Sequence, residues 1–128
     1  MNETTLMKIS FTGAIAGIVF LYIFVTNLYV PNQRIADITT DFAGRTVNIS
    51  GTVSGLYIHR NGHMFFNLDD GTGKIKVVLW DTVIEEMRMK GINVSDIRNG
   101  VNLQVTGDVK LYRGQLEIIP RASGVKFV

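Results

Sequence analysis

His63–Trp80 reads HMFFNLDDGTGKIKVVLW. Two runs of alternating side chains flank Asp69-Asp70-Gly71-Thr72-Gly73. Asp-Gly between such runs is a strong short-range signal for a tight hairpin turn. Successive side chains on a strand point to opposite faces. Met64, Phe66, Leu68, Ile75, Val77 and Leu79 therefore share one face, which suits a core. His63, Phe65, Asn67, Lys74, Lys76, Val78 and Trp80 share the other, where aromatic rings stand beside lysines.

The same period of two continues on the N-terminal side. From Arg45, the residues Val47, Ile49, Gly51 and Val53 alternate with Thr46, Asn48, Ser50 and Thr52, which reads as a long first strand. Gly51 and Gly55 interrupt it, and glycine inside a strand marks a bulge or bend. Leu56-Tyr57-Ile58 continues the strand, and His59-Arg60-Asn61-Gly62 turns it into the hairpin.

On the C-terminal side the pattern changes at Asp81–Lys90, DTVIEEMRMK. Val83, Ile84 and Met87 fall on one face at helical spacing, with Asp81 or Thr82 placed to cap the helix and Gly91 to end it. Ile92 and Val94 pack behind it, and Ile97-Arg98-Asn99-Gly100 is a turn. Val101, Leu103, Val105, Gly107, Val109 and Leu111 then alternate with polar residues, and Tyr112-Arg113-Gly114 reverses the chain. A last strand region contains Leu116, Ile118 and Val125, and Pro120 is expected to break it.

Far upstream lies a stretch of another kind. Ile9–Val30, ISFTGAIAGIVFLYIFVTNLYV, carries no charge and matches the ~20 apolar residues of one bilayer span. Tyr29 is placed as an interfacial anchor. A cleaved signal peptide would have a shorter apolar run followed by a small-residue cleavage site. Asn27-Leu28-Tyr29-Val30-Pro31 offers none, so an uncleaved, single-pass signal-anchor in the membrane is expected. Gly13 and Gly17 form a GxxxG pattern, which allows a helix–helix dimer within the bilayer. Lys8 precedes the span and Arg34 follows it, nearly a tie under the positive-inside rule. The expected organisation is a polar flank at 1–8, a transmembrane helix at 9–30, a linker or packing segment at 31–43, and a folded domain at 44–128. Ile35 and Ile38 are spaced to pack the linker against that domain.

Length and composition narrow the functional classes. The chain has 128 residues, 46% of them hydrophobic, and a mean hydropathy of +0.20, the excess lying in the N-terminal run. It has no cysteine, which excludes disulfides, thiolate metal sites and cysteine nucleophiles. Net charge is +2. Beyond residue 30 there are twelve Lys/Arg and ten Asp/Glu, far from the basic excess of a duplex-DNA binder. No paired carboxylates are arranged for acid–base work. His59 and His63 bracket a turn as a surface pair rather than as metal ligands. Gly71-Thr72-Gly73 has no helix after it, so it is no phosphate loop. No catalytic residues, cofactor or metal are expected. Asn93-Val94-Ser95 is a usable glycosylation sequon only if the domain faces outward.

A long bent strand, a hairpin, a short helix and two more strands is the element order of a five-stranded Greek-key barrel with the helix between strands 3 and 4. Arg45–Gly55 (RTVNISGTVSG), Phe66–Trp80 (FNLDDGTGKIKVVLW), Val105–Val109 (VTGDV) and Tyr112–Ile118 (YRGQLEI) together resemble the tRNA-anticodon type of OB-fold nucleic-acid-binding domain. That family occurs in aminoacyl-tRNA synthetases, replication protein A-like proteins and helicases. The resemblance covers about residues 44–120. Joined to one N-terminal span, the arrangement resembles small archaeal membrane-anchored OB proteins. It implies an all-β barrel that binds single-stranded nucleic acid across strands 2 and 3, flanked by the loops after strands 1 and 4. The candidate ligand residues are then Phe65, Lys76, Val78 and Trp80 on the face, Tyr57, His59 and Arg60 from the first loop, and Tyr112 and Arg113 from the last. Asp69, Asp70 and Asp81 would flank this groove and repel phosphate, so binding is expected to be weak and salt-sensitive. Trp80 stands where the helix begins, and the sequence leaves open whether the helix covers it. The alternative is a membrane-tethered adaptor for a protein, peptide or glycan.

Overall fold

Two units make up the structure, a computed structural model that describes residues 3–28 and 31–128: one reaches to Val30 and the other is Pro31–Val128. Tyr29 and Val30, expected to anchor and end a span, lie outside the described residues.

The first unit is helix α1, Glu3–Leu28. It begins six residues ahead of the uncharged run and takes in Lys8. Met7, Phe11, Ile18, Phe20 and Tyr22 are all exposed on it. A helix this apolar on every side needs an apolar environment to cover it.

The second unit is a closed barrel of five strands in the order β1-β2-β3-β5-β4. The strands are β1 (Thr46–Ile58), β2 (Met64–Asp69), β3 (Lys74–Leu79), β4 (Asn102–Tyr112) and β5 (Gln115–Phe127), with helix α2 (Asp81–Met89) between β3 and β4. Phe66, Leu68, Val77 and Leu79 from the hairpin are fully buried, together with Ile49 and Val53 of β1, Leu103 and Val105 of β4 and Ile118 of β5. Each such side chain stabilises the fold by about 1.5–3 kcal/mol through removal from water. Ile84 and Met87 of α2 join the same cluster. The parallel pairing of β3 with β5, Lys76 beside Glu117 and Val77 beside Ile118, closes the barrel and leaves no sheet edge.

Several local expectations are corrected. Pro120 does not break the last strand, which runs on to Phe127. It sits opposite Gly107, where the β4–β5 register shifts, and an irregular ladder tolerates a residue without an N–H. Leu111, the last apolar residue of the β4 alternation, is 46% exposed near the tip of the β4–β5 hairpin. That hairpin turns on Arg113 (φ 50°) and Gly114 (φ 78°), a pair of positive φ values that suits the strand twist. Asn48, placed by alternation on the open face, is buried. The linker covers it: the Gln33 N–H donates to the Asn48 carbonyl at 2.7 Å, and its side-chain oxygen accepts from Gln104 and Thr106. The cap of α2 is neither Asp81 nor Thr82. Trp80 occupies the N-cap, and the Asp81 N–H donates to His63 Nδ1 at 3.0 Å, so a side chain from outside the helix satisfies its first turn.

The β2–β3 turn is longer than a two-residue Asp-Gly turn, since Asp69 pairs with Lys74. Its carboxylates hold it: Asp69 accepts from the Gly71 N–H, and Asp70 from the N–H groups of Thr72 and Gly73. Asp70 also accepts from the Ile35 N–H at 2.9 Å, which ties the linker to the barrel. Ile35 and Ile38 are buried against the same core. Burial works to raise the Asp70 carboxyl, but the N–H of Ile35, the Thr72 hydroxyl and the N–H groups of Thr72 and Gly73 outweigh it and lower it from 3.8 to about 2. A carboxyl lowered on folding stabilises the fold fully above about pH 4, and that stabilisation is lost as pH falls toward 2. Asp70→Asn is expected to cost about 1–2 kcal/mol at neutral pH and to flatten the loss of stability between pH 4 and 2. Urea unfolding across that range measures both, and an unchanged acid limb would place the linkage on another carboxylate.

Candidate functional site

The register of the barrel sets its outer face in rows. Tyr57 pairs with Phe65, and Phe65 with Val78. Asn67 pairs with Lys76, Lys76 with Glu117, and Glu117 with Lys110. An apolar and aromatic row thus lies beside a polar one whose charges alternate in sign. Phe65, Lys76, Val78, Trp80, Lys110, Tyr112, Glu117 and Ile119 line one groove of about 350 Å³.

The aromatic groups form a connected series. Tyr57 and Phe65 stack with ring centroids 6.3 Å apart, and Lys76 Nζ lies 5.1 Å over the Phe65 ring. His63 meets Trp80 edge-on at 4.8 Å. His59 stacks on His63 at 6.2 Å, and Arg113 lies over Tyr112 at 5.3 Å. The N–H of Asn61 donates to His59 Nδ1. Both imidazoles therefore accept a backbone hydrogen bond through Nδ1, His63 from the Asp81 N–H.

The structure brings Phe65, Lys76, Val78, Trp80 and Tyr112 together, with Tyr57 and His59 continuing the aromatic series from β1 and Arg113 stacked beside Tyr112. Arg60 is exposed in the β1–β2 turn and does not line the groove. Val78 is 1% exposed, so it is the floor of the groove rather than a free surface residue. Trp80 is 40% exposed: α2 leads away from it and leaves one side open. Asp69 and Asp70, expected to flank the groove, line a separate hollow with Ser50, Gly51 and Thr52. Asp81 lies 3.6 Å from His63 Nδ1, next to Trp80.

Lys110, Glu117 and Ile119 also line the groove and were not among the residues read from sequence. They come from β4 and β5, and the non-sequential β3–β5 pairing puts them there. Alternation places each on an outer face, but only the closure of the barrel sets them beside Phe65.

A closed five-stranded barrel with its helix after the third strand defines the OB class of small binding domains. Comparison with known proteins is consistent with this. The chain belongs to the family of OB-fold nucleic acid binding domains, whose model matches residues 23–121. It is similar to the exodeoxyribonuclease 7 large subunit of Clostridium botulinum, with 29% identity over 86 residues, 67% of this chain and 19% of that protein. The chain thus spans about a fifth of the length of the relatives it matches. Among solved structures it is similar to asparaginyl-tRNA synthetase from Pyrococcus horikoshii, with a TM-score of 0.63 at 18% identity, covering 78% of this chain and 23% of that one. The second OB-fold domain of replication protein A from Methanococcus maripaludis gives 0.52 at 19% identity, covering 77% and 95%. At these identities the structural likeness concerns the fold.

Proposed function

We propose that this protein is a membrane-anchored, non-catalytic module that binds single-stranded nucleic acid along the groove on the outer face of β2 and β3. One observation carries the reading: Phe65, Trp80 and Tyr112 line the same groove as Lys76 and Lys110. Exposed rings stack on bases that are free of their own neighbours, which favours single strands over duplex. The similarity to a subunit of a nuclease named for its action on DNA supports the same ligand class.

Charge sets the expected strength. Two lysines line the groove, and Glu117, 3.6 Å from Lys76, offsets part of their charge. Each phosphate neutralised on a single strand contributes about −0.7 to the slope of log affinity against log salt. The expected slope is therefore about −1 to −2. Titrating Trp80 fluorescence with short oligonucleotides at several salt concentrations measures it. No quench at any salt would end the nucleic-acid reading, and a slope steeper than about −4 would place the phosphate contacts outside this groove.

The anchor rests on α1, whose Glu3–Ile23 segment is long and apolar enough to cross a bilayer. Co-flotation of the full chain with liposomes that persists at alkaline pH is the expected result; recovery in the soluble fraction would remove the anchor. Protease protection in sealed vesicles then gives the side on which the barrel lies. A barrel outside the cell would favour the adaptor for a protein, peptide or glycan.

A further inference from the structure

Glu117 is an unexpected group in a groove that is to hold a polyanion. It is 6% exposed, yet it lines the same groove as Phe65 and Val78. Its ion-pair partner among the described residues is Lys76, at 3.6 Å, too far for a hydrogen bond. No described residue donates a hydrogen bond to its carboxylate. Among the described residues no buried side-chain oxygen or nitrogen lacks a partner, so the unbonded Glu117 oxygens open onto the groove. A carboxylate in this position repels phosphate. It also has acceptor sites unused, a few ångströms from the cation that sits over the Phe65 ring.

We propose, building on the nucleic-acid reading above, that Glu117 selects the base. With a base laid on Phe65, the edge that carries the exocyclic group turns toward Glu117. An amino group there donates to the carboxylate, as the N4 amino group of cytosine does to acidic side chains in other complexes. The O4 carbonyl of thymine or uracil presents an acceptor to an acceptor and gains no hydrogen bond from Glu117. The groove therefore favours amino-bearing bases over thymine and uracil. Lys76 and Lys110 flank Glu117 across the two neighbouring strands, so the acceptor stands between two cations.

The test compares fluorescently labelled oligo-dC and oligo-dT of about ten nucleotides by anisotropy with the full-length protein at neutral pH. Wild type is expected to bind oligo-dC about tenfold tighter. Glu117→Gln supplies an amide that both donates and accepts, and is expected to bring the two within about twofold while oligo-dT binding is kept or improved. A third ligand leaves the protein untouched and so avoids any folding defect of the variant: oligo-dC methylated twice at N4, which has no amino hydrogen, is expected to fall to the oligo-dT level. Equal binding of oligo-dC and oligo-dT by wild type, or a dC preference that survives either change, would overturn the role of Glu117 and leave nucleic-acid binding standing. Binding of neither ligand would overturn both.

Discussion

Replacing Phe65 and Trp80 together by alanine is expected to lower affinity for single-stranded oligonucleotides by at least about thirtyfold. Each ring that stacks a base contributes about 1–3 kcal/mol by truncation, and 1.4 kcal/mol is a factor of ten. The two rings line one groove, so both act on the same strand. Because Trp80 is the sole tryptophan, the variant has no indole to follow, and the anisotropy of a labelled oligonucleotide is the measurement. Phe65→Tyr with Trp80→Tyr is the control, since it retains stacking faces and is expected to stay within about threefold of wild type. The thermal unfolding midpoint separates a binding effect from a folding one, because the variant also loses the edge-on contact of Trp80 with His63 and the stack of Phe65 on Tyr57. Affinity unchanged in the double variant would place the ligand elsewhere on the barrel.

The second large effect concerns the fold. Gly107→Ala is expected to destabilise the barrel by about 2–4 kcal/mol. A Cβ built at Gly107 would lie 2.7 Å from the Pro120 Cα and 2.8 Å from the Ile119 carbonyl oxygen. Both obstacles are backbone, so no side chain can swing aside. The two strands would have to part at the register shift that lets Pro120 sit inside β5. Gly13→Ala is the contrast, because that glycine has open space around it and the exchange favours helix. Urea unfolding of the two variants decides the matter. A loss below about 1 kcal/mol for Gly107→Ala would show that β4 and β5 separate at little cost.

These two predictions differ in how far they could have been made from the sequence. Phe65 and Trp80 are legible in HMFFNLDDGTGKIKVVLW, since alternation alone puts them opposite Phe66, Leu68 and Leu79. Their surroundings are not. The companions of Phe65 in the groove include Ile119 and Glu117, some fifty residues later, and no local period reports a pairing between β3 and β5. The weight of Gly107 is likewise invisible locally. In sequence it is one small residue in an alternating run, and only the neighbour across the ladder makes it irreplaceable.

The errors of the sequence reading share one cause. Local rules make Pro120 a strand breaker, Asn48 an outward residue, Asp81 or Thr82 the helix cap, and Asp69 and Asp70 flanks of the groove. Each reading applied a sound local rule. In each case a partner distant in the chain changed the outcome: Gly107 opposite Pro120, Gln33 and Gln104 over Asn48, His63 at the start of α2, and Ile35 on Asp70. Hydrogen-bond donors and acceptors must be satisfied when buried, but the group that satisfies them can come from anywhere.

By itself the sequence determined the strands, the helix between the third and fourth of them, the inward face of the hairpin and the apolar run before the barrel. These follow from periodicity and from transfer of apolar surface out of water, which act residue by residue. The tertiary structure alone decided that Val78 is a floor, that Trp80 keeps an open side, and that Glu117 stands between two lysines in the groove. Closure of the barrel brings those groups to one place, and closure rests on pairing between residues far apart in the chain.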